Sequence, residues 1–198
     1  MAVRRRLRKA LPRKPVTSDI LKQVAFLRGI NLGKRRMKME ALRQHFVDLG
    51  LESVETFIAS GNVVFQHSGA DVASLEDAIE HHLHDQLGFD VQTFVRSLAE
   101  LARLSALDAT SAAESAGFTP HVIFLRHPPS RAVMASLTKL ESNDDRFHAA
   151  EREVLWFRRG GLSDSPIKTR DLEKALECAD NSTRNMNTVR RILAKFAD

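Results

Sequence analysis

The feature that most constrains the fold is an internal repeat. The segment QVAFLRG at 23–29 recurs as HVIFLRH at 121–127. Each copy is a short run of consecutive apolar residues, which predicts a strand buried on both faces, because a strand with one wet face would alternate apolar and polar residues. The copies lie about one hundred residues apart, too far for a solenoid period, so the sequence predicts a tandem duplication of one unit.

The segments that follow the first copy have the order of a split β-α-β unit. Apolar residues at helical spacing alternate with β-rich runs, and a Ser-Gly-Asn turn divides one of these runs into a hairpin. The predicted elements are a strand followed by a loop within 22–31, a helix at 38–50, two strands within 54–67, a helix at 71–88 and a strand at 91–96. The order β-α-β-β-α-β is typical of ferredoxin-like folds.

The second copy starts the same order again. It predicts a helix capped by Ser130, a hairpin within 145–159 and a helix at 169–179. No clear fourth strand follows, and we expect a final helix after Ser182 and Thr183 to take its place. The predicted fold class is therefore α+β, with two tandem ferredoxin-like lobes packed as a sandwich and an extra C-terminal helix. Predicted boundaries are 19–107 for the first lobe with a linking helix, 108–118 for a linker and 119–198 for the second lobe.

Charge is distributed unevenly along the chain. Residues 1–18 contain seven Arg and Lys and no acid, so the net charge of +5 becomes −2 for the remainder. A basic segment with two prolines and few apolar residues predicts a disordered tail. Such a tail favours contact with nucleic acid, and an extension without a function of its own is the alternative.

The composition also limits the location. No apolar run approaches the roughly 20 residues that cross a bilayer, and no apolar stretch near the N-terminus has the form of a secretory signal. The single cysteine, Cys178, cannot form an intramolecular disulfide. We therefore expect a cytoplasmic protein without membrane contact.

Three motifs carry a resemblance to a known family. They are FLRGINLG at 26–33, TFIASGNVVF at 56–65 and TRNMNTV at 183–189. In this order they resemble domain-of-unknown-function family 1697, bacterial proteins with LLRGINVGG, YxxSGNVxF and RNWNTV segments. Phe57 stands where the family motif has tyrosine, and Met186 stands where it has tryptophan. Family members often have adjacent Ser and Lys before the penultimate helix, whereas this chain has Ser-Pro-Ile-Lys at 165–168. The resemblance implies two ferredoxin-like lobes and no established activity.

Topology places two of the motifs together. In a ferredoxin-like sheet, the loop after the first strand and the turn of the hairpin emerge at one edge, where the first helix also begins. Helix N-termini and basic side chains favour anions. We therefore expect a phosphate or carboxylate pocket formed by Arg28, Asn31, Lys34, Ser60, Asn62, Arg184 and Asn185. The alternative is that these residues only complete turns and helix caps.

Other chemistries fit less well. The segment GINLGK at 29–34 is no P-loop, since three residues separate its glycines and Arg35 follows the lysine. His81, His82 and His84 lie beside Asp85 on a predicted helix, which we interpret as a solvated face, with a position of His82 toward the core left open. We predict no metal, no cofactor and no catalytic residue, and the sequence leaves open whether the chain is an enzyme.

The leading hypothesis is a protein that binds a small anionic molecule. One alternative is a nucleic-acid-binding accessory protein, since RNA-recognition domains share this topology and stack bases on aromatics of the central strands. Phe26 and Phe65 lie on those strands, but their apolar neighbours indicate a closed face. The other alternative is a structural or partner-binding module without a site. The oligomeric state is left open.

Overall fold

The structure, a computed structural model, describes residues 20–31, 37–58, 61–68, 71–177 and 180–197. The predicted disordered tail at 1–18, with its nucleic-acid contact, lies outside this part, as do Lys34, Ser60 and Cys178. The described elements are β1 (Leu21–Arg28), α1 (Met39–Asp48), β2 (Glu52–Phe57), β3 (Asn62–His67), α2 (Val72–Leu87), β4 (Gln92–Ser97), α3 (Leu98–Ser105), α4 (Asp108–Ser115), β5 (Thr119–Phe124), α5 (Arg131–Thr138), β6 (Asp145–Ala150), β7 (Glu153–Arg158), a 3-10 helix (Leu162–Asp164), α6 (Thr169–Ala175), β8 (Ser182–Asn185) and α7 (Met186–Phe196). None of the helices within these ranges is both long and apolar enough to cross a membrane.

The first lobe is a four-stranded antiparallel sheet in the order β2-β3-β1-β4. Helices α1 and α2 cover one face of the sheet, and their apolar stripes, including Leu42, Phe46, Ile79 and Leu83, are fully buried. Helix α2 begins where the Asp71 side chain accepts from two backbone N–H groups, and it ends at a left-handed glycine. This is the ferredoxin-like order that the sequence predicts.

The second lobe repeats the arrangement with the order β6-β7-β5-β8. The prediction that this lobe lacks a fourth strand was wrong, because β8 (Ser182–Asn185) pairs with β5 along its whole length. Its four polar residues, STRN, give no β-strand signal in the sequence. Pairing with the buried edge of β5 nevertheless makes them a strand. Helix α7 is therefore an addition to a complete lobe.

The two sheets pack against each other through the faces that carry no lobe helices. Phe26 and Phe124, the repeated phenylalanines, stack with ring centroids 4.0 Å apart and an interplanar angle of 9°. Val24, Phe94 and Leu155 complete the fully buried layer, and α7 adds its own apolar stripe. The two-lobed α+β sandwich is thus confirmed, and the apolar strands are covered on both sides. The aromatic face on which an RNA-recognition domain would stack bases is closed.

The segment between the lobes is helical. Helix α3 leaves β4 through a capping box, in which the Ser97 hydroxyl accepts from the backbone N–H of Glu100 and the Glu100 carboxylate accepts from that of Ser97. Helix α4 follows within the predicted linker. Helix α3 packs on α7, so the linking helix that follows the first lobe contacts the C-terminal helix of the second.

Candidate functional site

The duplication places two arginines at equivalent positions. Arg96 on β4 and Arg184 on β8 each lie opposite the residue two positions before the repeated phenylalanine. Each donates from Nη2 to a carbonyl of the other lobe. Arg96 reaches the carbonyl of Leu125 at 2.6 Å, and Arg184 reaches that of Leu27 at 2.8 Å. The two lobes are therefore joined by a reciprocal pair of hydrogen bonds about a pseudo-twofold axis.

The surroundings of the two arginines differ in charge. The Arg96 side chain is fully buried, its Nε donates to the carboxylate of Glu153, and Glu76 lies 3.6 Å away. At the position equivalent to Glu153, opposite the repeated phenylalanine, the first lobe has Asn62. The Arg184 Nε accordingly donates to an amide oxygen, Asn62 Oδ1, at 2.7 Å. One carboxylate of the buried cluster is thus replaced by a neutral group.

Arg184 is a partly buried cation. Besides Asn62, its guanidinium donates to the hydroxyl of Ser182 and to the carbonyls of Thr183 and Leu27, at 2.8–2.9 Å. These four acceptors are neutral oxygens. Burial lowers the pKa of Arg184 to about 10, so the group still carries its charge at neutral pH.

A cleft of about 470 Å³ opens beside Arg184, between the lobes. Residues 27–31 of the first lobe form one wall, and residues 181–184 with α6 form the other. Trp156, Ile167 and Leu172 supply apolar surface. The Trp156 indole is held in place because its Nε1 donates to Asp145 Oδ1 at 2.9 Å. The cleft therefore combines an apolar surface with a polar, cationic wall.

Arg28 stands at the end of β1 in the same cleft. Its side chain is 27% exposed, and Nη2 donates to the carboxylate of Glu173 on α6. The equivalent residue of the second lobe, Arg126, pairs with Asp77 and Glu80 on α2, at 2.6 and 2.7 Å. Both arginines of the repeated Phe-Leu-Arg sequence thus form ion pairs across the lobes, and Arg28 is the one of the two that lines the cleft.

The structure brings some of the predicted site residues together. Arg28, Asn31 and Arg184 line the cleft, and the two bends meet because the Leu27 N–H donates to the carbonyl of Gly61 at 2.8 Å. Asn31 Oδ1 also accepts from the Met37 N–H at 2.7 Å, which ties the loop to the start of α1.

Two predicted residues have structural tasks. Asn62 Nδ2 donates to the Phe57 carbonyl at 3.1 Å while Oδ1 holds Arg184, so its amide spans the hairpin and the lobe interface. Asn185 lies outside the cleft lining. Its Oδ1 accepts from the Asn187 N–H at 2.8 Å and caps α7, and its Nδ2 lies 3.4 Å from His121. Lys34 and Ser60 lie outside the described residues.

Sequence reasoning missed two groups of polar residues. Glu173, the partner of Arg28, is 145 positions away along the chain, and only the repeat, which gives Arg126 an acidic partner on α2, could have suggested it. The second group is His45, Asp48 and His82, whose ligand atoms all lie within 4.8 Å of one another. His81 and His84 are exposed, as the solvated-face interpretation expects, and each pairs with a nearby aspartate.

Comparisons with known proteins agree with this architecture. A family model described as "Protein of unknown function (DUF1697)" matches residues 20–155. The structure of a conserved bacterial protein, SP0830 from Streptococcus pneumoniae, superposes with a TM-score of 0.70 at 25% identity, covering 91% of this chain and 100% of that one. Among curated proteins there is no significant match. The likeness therefore extends over both lobes and carries no named activity.

Proposed function

The chain belongs to DUF1697, a family of proteins of unknown function, and from that premise we propose that its interlobe cleft binds a small phosphate or carboxylate compound. One observation carries the proposal. Of the two equivalent arginines, Arg96 is fully buried and closed in by Glu153, whereas Arg184 is partly buried, meets Asn62 at that position and borders an open cleft. Losing one carboxylate on the side that opens to solvent leaves positive potential where a ligand can enter.

The two arginines have different roles in this proposal. The nitrogens of Arg184 already donate to backbone and side-chain oxygens, so this residue contributes its electrostatic field, which is strong in partly desolvated surroundings. Arg28 makes the direct contact. Its planar guanidinium can turn from Glu173 to an incoming anion and bind it through two parallel hydrogen bonds.

The cleft also indicates the rest of the ligand. Its volume of about 470 Å³ lies within the range of about 300–1,000 Å³ that small-molecule sites occupy. Trp156, Ile167 and Leu172 offer apolar contact beside the arginines. We therefore expect an organic anion with an apolar portion to bind more tightly than a bare inorganic ion.

The test compares phenyl phosphate with inorganic phosphate by calorimetry and by amide NMR shifts of residues lining the cleft. R28Q should weaken phenyl phosphate binding by about 10–150-fold, because it removes a charge-assisted hydrogen bond of roughly 1.5–3 kcal/mol. E173Q should tighten phenyl phosphate binding several-fold, because it removes the carboxylate that competes with the ligand for the guanidinium of Arg28. R126Q is the matched control, because it breaks the equivalent ion pair of the other lobe, and should leave affinity unchanged.

A further variant tests the field of Arg184. N62D restores a carboxylate at the position that Glu153 holds in the second lobe, so it should neutralise Arg184 and greatly weaken phenyl phosphate binding. N62D also removes the Nδ2 group that donates to the Phe57 carbonyl, and thermal melting measures the stability lost with this hydrogen bond. Wild-type affinity in N62D, or equal losses in R28Q and R126Q, would show that the cleft is not the binding site.

A further inference from the structure

A second polar cluster lies on the outer side of the first lobe, away from the interlobe face. His45 and Asp48 are three positions apart on α1, so both lie on one side of that helix. His82 comes from the facing side of α2, and the two imidazole rings meet edge to face with centroids 5.7 Å apart. One ligand atom from each of the three residues lies within 4.8 Å of the other two.

We propose that His45, Asp48 and His82 bind a divalent transition-metal ion of the zinc type. Two imidazoles and one carboxylate form a donor set that Zn²⁺ favours, with a fourth position left for water. Tetrahedral bonds of about 2.0–2.2 Å place ligand atoms about 3.4 Å apart. The widest separation, 4.8 Å at most, therefore has to contract by up to about 1.4 Å. The Asp48 side chain is exposed and can move towards the two rings.

Burial of the histidine nitrogens supports the proposal. His45 Nδ1 is buried and has no hydrogen-bond partner among the described residues, and His82 Nε2 is also buried. A buried polar nitrogen of this kind is destabilising unless something satisfies it. A metal ion bound to His45 Nδ1 satisfies that nitrogen.

The setting of Asp48 favours a cation as well. Asp48 is the last residue of α1, where the helix dipole is negative. Gln44 Nε2 donates to Asp48 Oδ1 at 3.0 Å, which orients the carboxylate and leaves Oδ2 for the metal. Such outer contacts fix ligand geometry in many metal sites. The site shares no residue with the cleft, so it is independent of the proposed function.

The experiment titrates the full chain with ZnCl₂ by calorimetry and with CoCl₂ by visible absorption, which reports the coordination of the bound ion. We expect one ion per chain and a higher melting temperature. D48N, an exposed and nearly isosteric change, and H82A should each weaken binding by at least about tenfold, and Q44A should weaken it by about 10-fold through the outer contact. Circular dichroism checks that each variant folds.

The matched control is the double variant H81A/H84A on the same helix. It removes two exposed histidines, each paired with a single aspartate, and should bind zinc as the wild type does. The proposal is overturned if the wild type takes up no zinc at millimolar concentration, if D48N binds with unchanged affinity, or if H81A/H84A loses the ion.

Discussion

Replacing Arg96 by methionine tests the buried ion cluster between the lobes. The Arg96 side chain is fully buried, and Glu76 and Glu153 are only 2% and 4% exposed. R96M retains most of the apolar volume and leaves two buried carboxylates without this cation. Breaking a buried pair on one side costs about 3–5 kcal/mol. Arg152, 4.0 Å from Glu76, retains part of the compensation, so we expect the lower half of that range.

This loss converts to a measurable change in melting temperature. For a chain of this size, 1 kcal/mol corresponds to about 2–4 °C. A loss of about 3–4 kcal/mol therefore lowers the melting temperature of R96M by about 6–16 °C. Thermal and urea denaturation, both followed by circular dichroism, measure it.

The loss should depend on pH with a defined sign. Burial raises the pKa of Glu76 and of Glu153, and the charge of Arg96 opposes the rise. Removing Arg96 raises both values further. When a carboxyl has a higher pKa in the folded than in the unfolded protein, the folded state binds its proton more tightly. The free energy of unfolding then falls as the pH rises from the unfolded-state pKa to the folded-state pKa. The deficit of R96M should therefore be smaller at about pH 5 than at about pH 8, where both carboxyls must ionise.

The control is R126M, which breaks an ion pair between the lobes at the surface. Arg126 is 24% exposed, and its partners Asp77 and Glu80 are 70% and 29% exposed, so the loss should be at most about 1 kcal/mol. Equal losses in R96M and R126M, or an R96M deficit that does not change with pH, would refute the reasoning. The double variant R96M/E153Q should be more stable than R96M, because it removes one of the two buried carboxylates that R96M leaves without their arginine.

Three other substitutions test the fold by urea denaturation. Gly61 has φ +72°, and an added Cβ would lie 2.8 Å from Ile30 Cγ2, so G61A should lower the free energy of unfolding by about 2–4 kcal/mol. G88A is the control, because Gly88 also has positive φ but its added Cβ meets open space, and it should cost about 1 kcal/mol. Equal costs would contradict the close approach of Gly61 to Ile30. F124A removes one ring of the stacked pair between the lobes and should cost about 3–5 kcal/mol; a loss below 1 kcal/mol would mean that the sheets do not depend on this contact. S97A removes the hydroxyl that caps α3 and should cost about 1 kcal/mol, and an unchanged midpoint would contradict that role.

The order of elements could be read from the sequence because it depends on local signals. Helical spacing, the Ser-Gly-Asn turn and the cap at Ser130 each act within a few residues, and the repeat supplied the duplication. Strand β8 was not predicted, because its conformation is determined by pairing with β5 rather than by the β-propensity of its own side chains. The burial of both sheet faces was predictable, since strands of consecutive apolar residues have no other stable setting.

The candidate site was less predictable, because it depends on how one lobe lies against the other. Arg28 was predicted, but its carboxylate partner Glu173 comes from the other lobe. Asn185 looked like a ligand-binding residue, yet an asparagine directly before an apolar helical stripe is the ordinary N-cap, and it has that role here. The histidine cluster depends on the packing of α1 on α2, which no spacing along the chain reports.

The reciprocal bonds from Arg96 to Leu125 and from Arg184 to Leu27 make the contact between the halves isologous, as in a C2 homodimer. Each half carries both the donor and the acceptor that its sister needs, so a lone half has a surface complementary to a second copy of itself. In a homodimer the same residues make both copies of such a contact. In a single polypeptide with two lobes, each copy is made by different residues, so the two copies can differ in sequence. Asn62 on one side and Glu153 on the other are such a divergence: the arginine at one end is enclosed by a carboxylate, and the arginine at the other end borders an open cleft.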